Sequence, residues 1–167
     1  LLYDETVEKD EIKSLNETDF YRKQVRVALR NCGVINPESI DEYIAYDGYQ
    51  ALGKCLTEYT PEQVIQIITD SGLRGRGGGG FPTGTKWSFL AAKDTPEKIL
   101  ICNADEGDPG AFMDRSLMES VPHQVLEGML IAAYATGATK LFLYCRAEYP
   151  MAIKHLKIAI AQIQEHK

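Results

Sequence analysis

The chain has 167 residues, of which 44% are hydrophobic and 25% are charged, and its formal net charge is -6. These proportions are ordinary for a globular protein and exclude global disorder. The acidic balance argues against nonspecific binding of nucleic acid, which requires a basic surface.

The acidity is concentrated in the first 19 residues. This segment carries seven acids against two lysines, a balance of -5, so the other 148 residues sum to -1. We expect residues 1–19 to be an acidic tail or linker and residues 20–167 to form the folded part. No apolar run approaches the roughly 20 residues of a membrane span, and the acidic start lacks the features of a signal peptide. The sequence therefore predicts a cytoplasmic location without direct membrane insertion.

Residue periodicity predicts an α/β fold. Residues 23–33 alternate apolar and polar side chains, which is typical of a strand with one buried face. Asn36 and Thr60 each precede a proline, and each predicts the capped start of a helix. The short apolar runs at residues 98–104 and 140–145 predict two buried strands.

The order of elements predicts how those two strands pair. The first is followed by a loop at residues 105–115 and a helix at residues 122–138, and the second by a helix at residues 150–164. This alternation is typical of parallel strands. Open parallel sheets usually have about four or more strands, so we expect a truncated, mostly parallel sheet with flanking helices.

The cysteines do not have the spacing of a metal site. Cys32, Cys55, Cys102 and Cys145 are separated by 23, 47 and 43 residues, whereas at least one pair of zinc or iron–sulfur ligands normally lies close together in sequence. We interpret each as a small buried side chain. The ligands of any associated iron–sulfur cluster would then lie elsewhere.

Residues 72–87, GLRGRGGGGFPTGTKW, hold seven of the 14 glycines. A flexible linker is one interpretation, although the interspersed cations and aromatic residues are unusual for a linker. Gly75, Gly77 and Gly80 match the dinucleotide fingerprint, but they follow a predicted helix where that fingerprint follows a strand. The nucleotide-hydrolase loop is excluded because Trp87 follows Lys86 where a hydroxyl is required.

Consecutive glycines expose backbone amides to a ligand, whichever motif they belong to. Lys86 and the N-terminus of a helix predicted at residues 84–93 favour an anion, and Phe81 and Phe89 offer stacking faces. The segment therefore indicates a phosphorylated aromatic ligand.

A second polar group follows the first buried strand, in residues 102–114, CNADEGDPGAFMD. Ligands of open parallel sheets bind at the carboxyl ends of strands, which indicates a site at Asn103, Asp105, Glu106 and Asp108. Their oxygens would accept hydrogen bonds from ligand hydroxyls. A metal site and a solvated acidic turn remain alternatives.

Other residue types give weaker signals. His123 starts a predicted helix, and His155 and His166 are expected at the surface of the last one. No Ser–His–Asp or Cys–His arrangement is indicated. Tyr144 and Cys145 end an apolar strand and are interpreted as core residues.

The two motifs, SGLRGRGGGGFPTGTKWSF and CNADEGDPGAFMDR, occur in the same order in a known family. From about residue 21 to its end, the sequence resembles the FMN-binding, NADH-oxidising flavoprotein subunit of respiratory complex I and of NAD(P)-linked hydrogenases, including electron-bifurcating ones. The resemblance implies an FMN that takes hydride from NADH and passes single electrons to iron–sulfur clusters. Residues 20–167 would then be the N-terminal part of the FMN/NADH-binding domain.

The resemblance also implies roles for single residues. The glycine-rich stretch would lie against flavin and nucleotide, Lys86 would contact the FMN, and Asp108 would face NADH. Phe81 and Phe89 would stack with the adenine of NADH. The residues implied in holding the cofactor are Gly75, Arg76, Gly77, Gly78, Gly80, Lys86, Asn103, Asp105 and Glu106.

Subunits of this family are longer and carry an iron–sulfur cluster in a later domain. We therefore hypothesise that the chain is an N-terminal fragment that does not itself ligate the cluster. The implied partners are iron–sulfur subunits: a thioredoxin-like two-iron subunit and hydrogenase or complex I subunits. The rival hypothesis is a non-catalytic binding or assembly protein that reuses the fold.

Overall fold

The structure is a computed structural model that describes residues 17–108 and 110–166. The chain divides into two compact units, Leu1–Arg30 and Asn31–Lys167. Most of the predicted tail, residues 1–19, lies outside the described residues, so its boundary stays a prediction. No helix within the described ranges combines the length and the apolar character that a membrane crossing requires.

The first unit contains one short helix, α1 (Asp19–Arg22), among its described residues. The strand predicted at residues 23–33 is wrong, because this stretch forms bends and turns. Val25 is 92% exposed and Val27 is 78% exposed. An alternating pattern becomes a strand only beside a partner strand, and none pairs with this stretch in the described part of the chain.

The second unit alternates helices with a two-stranded sheet. In chain order, its described elements are α2 (Ile40–Ala45), α3 (Gln50–Glu58), α4 (Pro61–Asp70), α5 (Thr83–Ala91), β1 (Ile99–Ala104), α6 (Met113–Ser120), α7 (Pro122–Thr136), β2 (Lys140–Cys145) and α8 (Pro150–Glu165). The predicted strands and the helices after them are confirmed. Helix α3 was not predicted, and α6 starts within the predicted loop at residues 105–115.

The sheet has the predicted parallel pairing. Its register runs from Ile99 opposite Lys140 to Ala104 opposite Cys145, so both strands end at the same edge. One face packs on a cluster that includes Met129 of α7 and Ala159 of α8. The fold class predicted from the sequence is therefore confirmed.

The opposite face of the sheet is open, which corrects the prediction of two buried strands. Ile101 is 64% exposed, Phe142 is 54% exposed and Tyr144 is 59% exposed. Tyr144 was predicted to be a core residue, and this prediction is wrong. Cys145 packs against the core from a half-buried position. The apolar run reflects the hydrophobicity of both faces, but the described helices cover only one.

The helix starts show which capping signals hold. Thr60 caps α4 as predicted, since its hydroxyl accepts from the Gln63 amide at 3.3 Å and Pro61 follows it. The predicted start of α2 at Asn36 is wrong: the helix begins at Ile40, and Ser39 caps it by accepting from the Glu42 amide at 3.2 Å. Ser39 and Glu42 have the spacing of a capping box, a signal that the sequence already contained.

A buried carboxylate joins α7 to the first helices of the unit. Glu127 accepts from the Tyr43 hydroxyl at 2.5 Å and from the backbone amides of Tyr49 at 3.0 Å and Leu52 at 3.1 Å. The two amides lie at the start of α3, so Glu127 caps that helix from a distant part of the sequence. Burial and, to a smaller extent, the charge of Glu127 raise the pKa of Tyr49.

His123 extends this network towards α8. It is 2% exposed, its Nδ1 lies 2.8 Å from the Tyr49 hydroxyl, and its Nε2 lies 2.9 Å from Oε1 of Gln162. Because the Gln162 amide group donates to the carbonyl of Glu38, its Oε1 accepts from Nε2–H of a neutral imidazole. His155, on α8, was predicted to lie at the surface. This prediction is wrong, because His155 is 8% exposed and its Nδ1–H donates to the Glu119 carbonyl.

The buried His123 predicts a pH-dependent stability. Burial lowers its pKa, and the hydrogen bond to Gln162 only partly opposes this. The unfolded chain binds the proton more readily below its pKa of about 6.5, so we expect stability to fall as the pH drops below that value. Urea denaturation at a series of pH values measures it. We expect His123→Gln to flatten the profile and His166→Gln, at an exposed site, to leave it unchanged; an unaltered slope in His123→Gln would contradict the prediction.

Candidate functional site

Residues 75–80, hereafter the glycine loop, are closed at their base by backbone hydrogen bonds. The Gly75 amide donates to the Phe81 carbonyl and the Thr83 amide to the Leu73 carbonyl, each at 2.9 Å. The Arg74 guanidinium also donates to the Gly80 carbonyl at 3.1 Å. These contacts define a loop with fixed ends, so the flexible-linker alternative does not describe this segment.

Glycine is required in this loop for two reasons. Gly78 and Gly80 have φ values of +98° and +59°, which side chains on other residues disfavour. In addition, a Cβ built on Gly77 or Gly78 meets no atom within 4 Å, so this backbone borders open space. A ligand can therefore approach the main chain directly.

The loop leads into α5, which presents Lys86 in its first turn. The Lys86 side chain is exposed, and it forms no hydrogen bond or ion pair with the residues that the structure describes. An unpaired ammonium beside a glycine loop is suited to binding an anion.

Residues 103–108, hereafter the acidic segment, begin in the last two residues of β1 and continue past the carboxyl edge of the sheet. Asn103 stabilises the turn, because its Oδ1 accepts from the Asp105 amide at 3.0 Å. Asp108 makes a similar turn with the Gly110 amide at 3.4 Å. These contacts leave further acceptor positions on the Asn103 and Asp108 oxygens.

Glu106 differs from its neighbours because it is buried, with 8% exposure. Its carboxylate accepts from the amides of Met113 at 2.7 Å, Asp114 at 3.3 Å and Arg115 at 3.4 Å. These amides form the first turn of α6, so Glu106 caps this helix. The Tyr149 hydroxyl donates to the same carboxylate at 3.4 Å.

Arg146 connects the two strand ends, and the sequence reasoning missed it. It follows β2 directly, and its Nη1 donates to the backbone carbonyl of Glu106 at 2.7 Å. Its guanidinium also lies 5.7 Å from the centre of the Tyr149 ring. The signal that could have found it is its position, because parallel strands end at one edge and Arg146 occupies the end of the second strand.

A cavity of about 550 Å³ joins the glycine loop to the acidic segment. Its size is within the usual range for small-molecule sites. The predicted residues that line it are Arg76, Gly77, Gly78, Asn103, Asp105, Glu106 and Asp108. Asp114, on the first turn of α6, also lines it and was not predicted.

The other predicted residues lie outside this cavity. Gly75 and Gly80 form the base of the loop. Lys86 lines a neighbouring cavity of about 420 Å³ between α5, β1 and α7. Phe81 and Phe89 are 48% and 59% exposed, with ring centroids 6.3 Å apart and planes tilted by 53°. The two rings are therefore adjacent, and both are accessible to a ligand.

The cavity combines backbone amides and one guanidinium on the loop side with carboxylate and amide oxygens on the strand side. Burial, followed by the charge of Glu106, raises the pKa of Asp114. Within residues 17–108 and 110–166, no three His, Cys, Asp or Glu side chains are arranged to hold a metal ion. The arrangement is suited to an organic ligand with anionic groups and hydroxyl or N–H donors.

These features define the class of protein: an α/β domain with a candidate ligand site at the carboxyl end of parallel strands. The model of the family described as the Nuo51 FMN-binding domain matches residues 68–167, and the chain belongs to this family.

Similar curated proteins occur in two kinds of enzyme complex. The chain is 55% identical to the NADP-reducing hydrogenase subunit HndC of Solidesulfovibrio fructosivorans over 145 residues, which are 87% of this chain and 29% of that protein. It is 49% identical to an NADH-quinone oxidoreductase subunit of Rhizobium meliloti (strain 1021) over 140 residues, 84% of this chain and 33% of that protein. The chain thus spans about a third of the length of these relatives.

A solved structure is similar in fold and sequence. The crystal structure of NAD+-reducing [NiFe]-hydrogenase in the H2-reduced state contains a chain with a TM-score of 0.66 and 39% identity. The match covers 85% of this chain and 23% of that chain. The α/β arrangement described above therefore also occurs in a hydrogenase.

Proposed function

We propose that this chain is part of an NAD(P)H-oxidising flavoprotein subunit and that it forms one part of the site for FMN and NADH. The observation that carries the proposal is the single cavity shared by the glycine loop and the acidic segment, in a chain of an FMN-binding family. Of the relatives described above, one is by name a subunit of an NADP-reducing hydrogenase and the other a subunit of an NADH-quinone oxidoreductase.

The cavity fits FMN in size and in chemistry. It is large enough for a small-molecule cofactor, and the bare backbone at Gly77 and Gly78 allows a flat ring to lie close. Asn103 and Asp105 offer oxygen acceptors for flavin hydroxyls. When bound, FMN supplies the conversion of two-electron hydride transfer into single-electron transfer, and the protein supplies binding and orientation.

The remaining residues have distinct roles in this proposal. Lys86 binds the FMN phosphate from the neighbouring cavity, and the amides of the glycine loop support flavin and nucleotide. Asn103, Asp105 and Glu106 line the wall of the cavity against which the FMN lies.

The NADH side of the proposed site uses aromatic and acidic residues. Phe81 and Phe89 stack with the adenine of NADH, because both rings are exposed and adjacent. Asp108, whose carboxylate has acceptor positions remaining, faces the NADH.

The proposed setting is a longer subunit in the cytoplasm, of which this chain is the N-terminal segment. The open sheet face and the coverage of about a third of its relatives support the longer subunit. Its partners are the iron–sulfur subunits of a hydrogenase or complex I assembly, among them a thioredoxin-like two-iron subunit. In the full-length subunit an iron–sulfur cluster is ligated outside this segment.

The test is a titration of the full-length subunit with FMN, followed by flavin fluorescence, with riboflavin as the phosphate-free control. We expect Lys86→Ala to lower FMN affinity by about ten- to a hundredfold, because it removes a charge-assisted hydrogen bond to the phosphate. Riboflavin affinity should remain unchanged.

Lys93→Ala is the matched control, since Lys93 lies just beyond the far end of α5. It should bind FMN as the wild type does. A full-length subunit that neither binds FMN nor oxidises NADH with an artificial acceptor would refute the proposal and favour a non-catalytic binding or assembly role.

A further inference from the structure

The carboxylate of Glu106 has no acceptor position left for a ligand. Its Oε1 accepts from the amides of Met113 and Asp114, and its Oε2 accepts from the Arg115 amide and the Tyr149 hydroxyl. A carboxylate offers about four lone-pair positions, and all four are directed at the protein. A ligand donor would have to displace one of these contacts in a buried site.

Asp114 is in the opposite situation. It lies in the first turn of α6, lines the same cavity as the glycine loop, and is half-buried. Its backbone amide donates to Glu106, but its carboxyl group forms no hydrogen bond or ion pair with the described residues. It is thus an acid inside the site with its acceptor positions open.

We propose that Asp114 contacts bound FMN and that Glu106 does not. Glu106 is instead a positioning residue, which orients Asp114 by capping α6. The inference rests on the proposed FMN site and assigns the contact within it. The partners of Asp114 on the flavin are hydroxyl or N–H donors, which FMN carries on its ribityl chain and at N3 of its ring.

The electrostatics of α6 agree with this assignment. Burial and the neighbouring charge of Glu106 raise the pKa of Asp114, so its ionised form lacks stabilising donors in the protein alone. A ligand donor would supply that stabilisation. Arg115 is not positioned to do so, since its Nε pairs with Glu119 at 2.9 Å.

The experiment measures flavin affinity and melting temperature of the full-length subunit in separate assays. We expect Asp114→Ala to lower the affinities for FMN and for riboflavin by the same factor, about tenfold or more, because the lost contact is to the flavin and not to the phosphate. The melting temperature should not fall. Asp41→Ala is the matched control, since Asp41 occupies the equivalent second position of α2.

Two further binding measurements identify which group of the flavin Asp114 contacts. Asp114→Asn keeps an acceptor oxygen and should restore part of the affinity. Lumiflavin, which has the ring but no ribityl chain, should show the same loss in Asp114→Ala if the donor is N3–H and no loss if it is a ribityl hydroxyl.

A double-mutant cycle tests the positioning role of Glu106. Glu106→Gln should lower both the melting temperature and FMN affinity in the wild-type background. In the Asp114→Ala background it should cause no further loss of affinity, although it still lowers the melting temperature. A purely structural role would not depend on Asp114 in this way.

The inference is overturned if Asp114→Ala binds FMN like the wild type, or if the losses caused by the two substitutions multiply, which would make Glu106 a direct contact. A wild-type subunit that does not bind FMN would instead refute the proposed function on which the inference rests.

Discussion

Glu127→Ala is expected to destabilise the protein by about 3 kcal/mol or more, because each buried donor left without a partner costs about 1 to 3 kcal/mol. Glu127 is 7% exposed and accepts from the Tyr43 hydroxyl and from the amides of Tyr49 and Leu52. Its removal leaves these donors without a partner and uncaps α3. Because domains are stable by only about 5 to 15 kcal/mol, this is a large share of the total.

Urea denaturation measures this loss. Glu127→Gln keeps the volume and one acceptor oxygen, so we expect a smaller loss than for alanine. Glu165→Ala, at an exposed position at the end of α8, is the control and should change stability by less than about 0.5 kcal/mol. A loss below about 1 kcal/mol for Glu127→Ala would show that the network does not hold α3 against α7.

Gly84→Ala is expected to have the second large effect, because α4 and α5 meet at Gly84 without room for a side chain. A Cβ on Gly84 would lie 2.2 Å from Oγ1 of Thr69 and 2.8 Å from the Thr69 Cα and N atoms. Rotation of the Thr69 hydroxyl would not remove the clash with its backbone, so the two helices must separate. We expect a loss of about 1 to 3 kcal/mol or more, and weaker FMN binding because α5 supports the glycine loop and Lys86.

Gly79→Ala is the matched control for that substitution. A Cβ on Gly79 meets nothing within 4 Å, and its φ is not positive, so we expect an unchanged melting temperature. Thermal denaturation of both variants makes the comparison. Equal melting temperatures for Gly84→Ala and the wild type would contradict the close packing of α4 and α5.

The parts of the fold that the sequence predicted correctly are those with local causes. Thr60 and Pro61 start α4 through contacts within one turn. The helix predicted at residues 122–138 formed as α7, although it ends earlier, at Thr136, where Gly137 with a φ of +72° caps it. The two apolar runs became parallel strands because the segment between them, which contains α6 and α7, is long enough for the crossover that parallel strands require. The incorrect strand at residues 23–33 shows the limit of such reasoning, because its periodicity had no partner strand to pair with.

The candidate site divides in the same way. The sequence indicated Asn103, Asp105 and Asp108 because they lie at or just past the end of a strand, and Gly77 and Gly78 because consecutive glycines expose backbone. That these two segments share one cavity is a property of the fold. The saturation of Glu106 could not be foreseen, because its partners include Tyr149, which is 43 residues away.

By itself, the sequence determined the kind of ligand chemistry, the parallel strands and the cap of α4, since composition, spacing and local hydrogen bonds decide these. Only the tertiary structure decided which acids are available to a ligand, which face of the sheet is covered and where buried groups such as His123 lie. The physical reason is that burial and hydrogen-bond partners come from segments distant in the chain. A carboxylate whose oxygens already accept hydrogen bonds from the protein cannot bind a ligand, whereas one without such partners can.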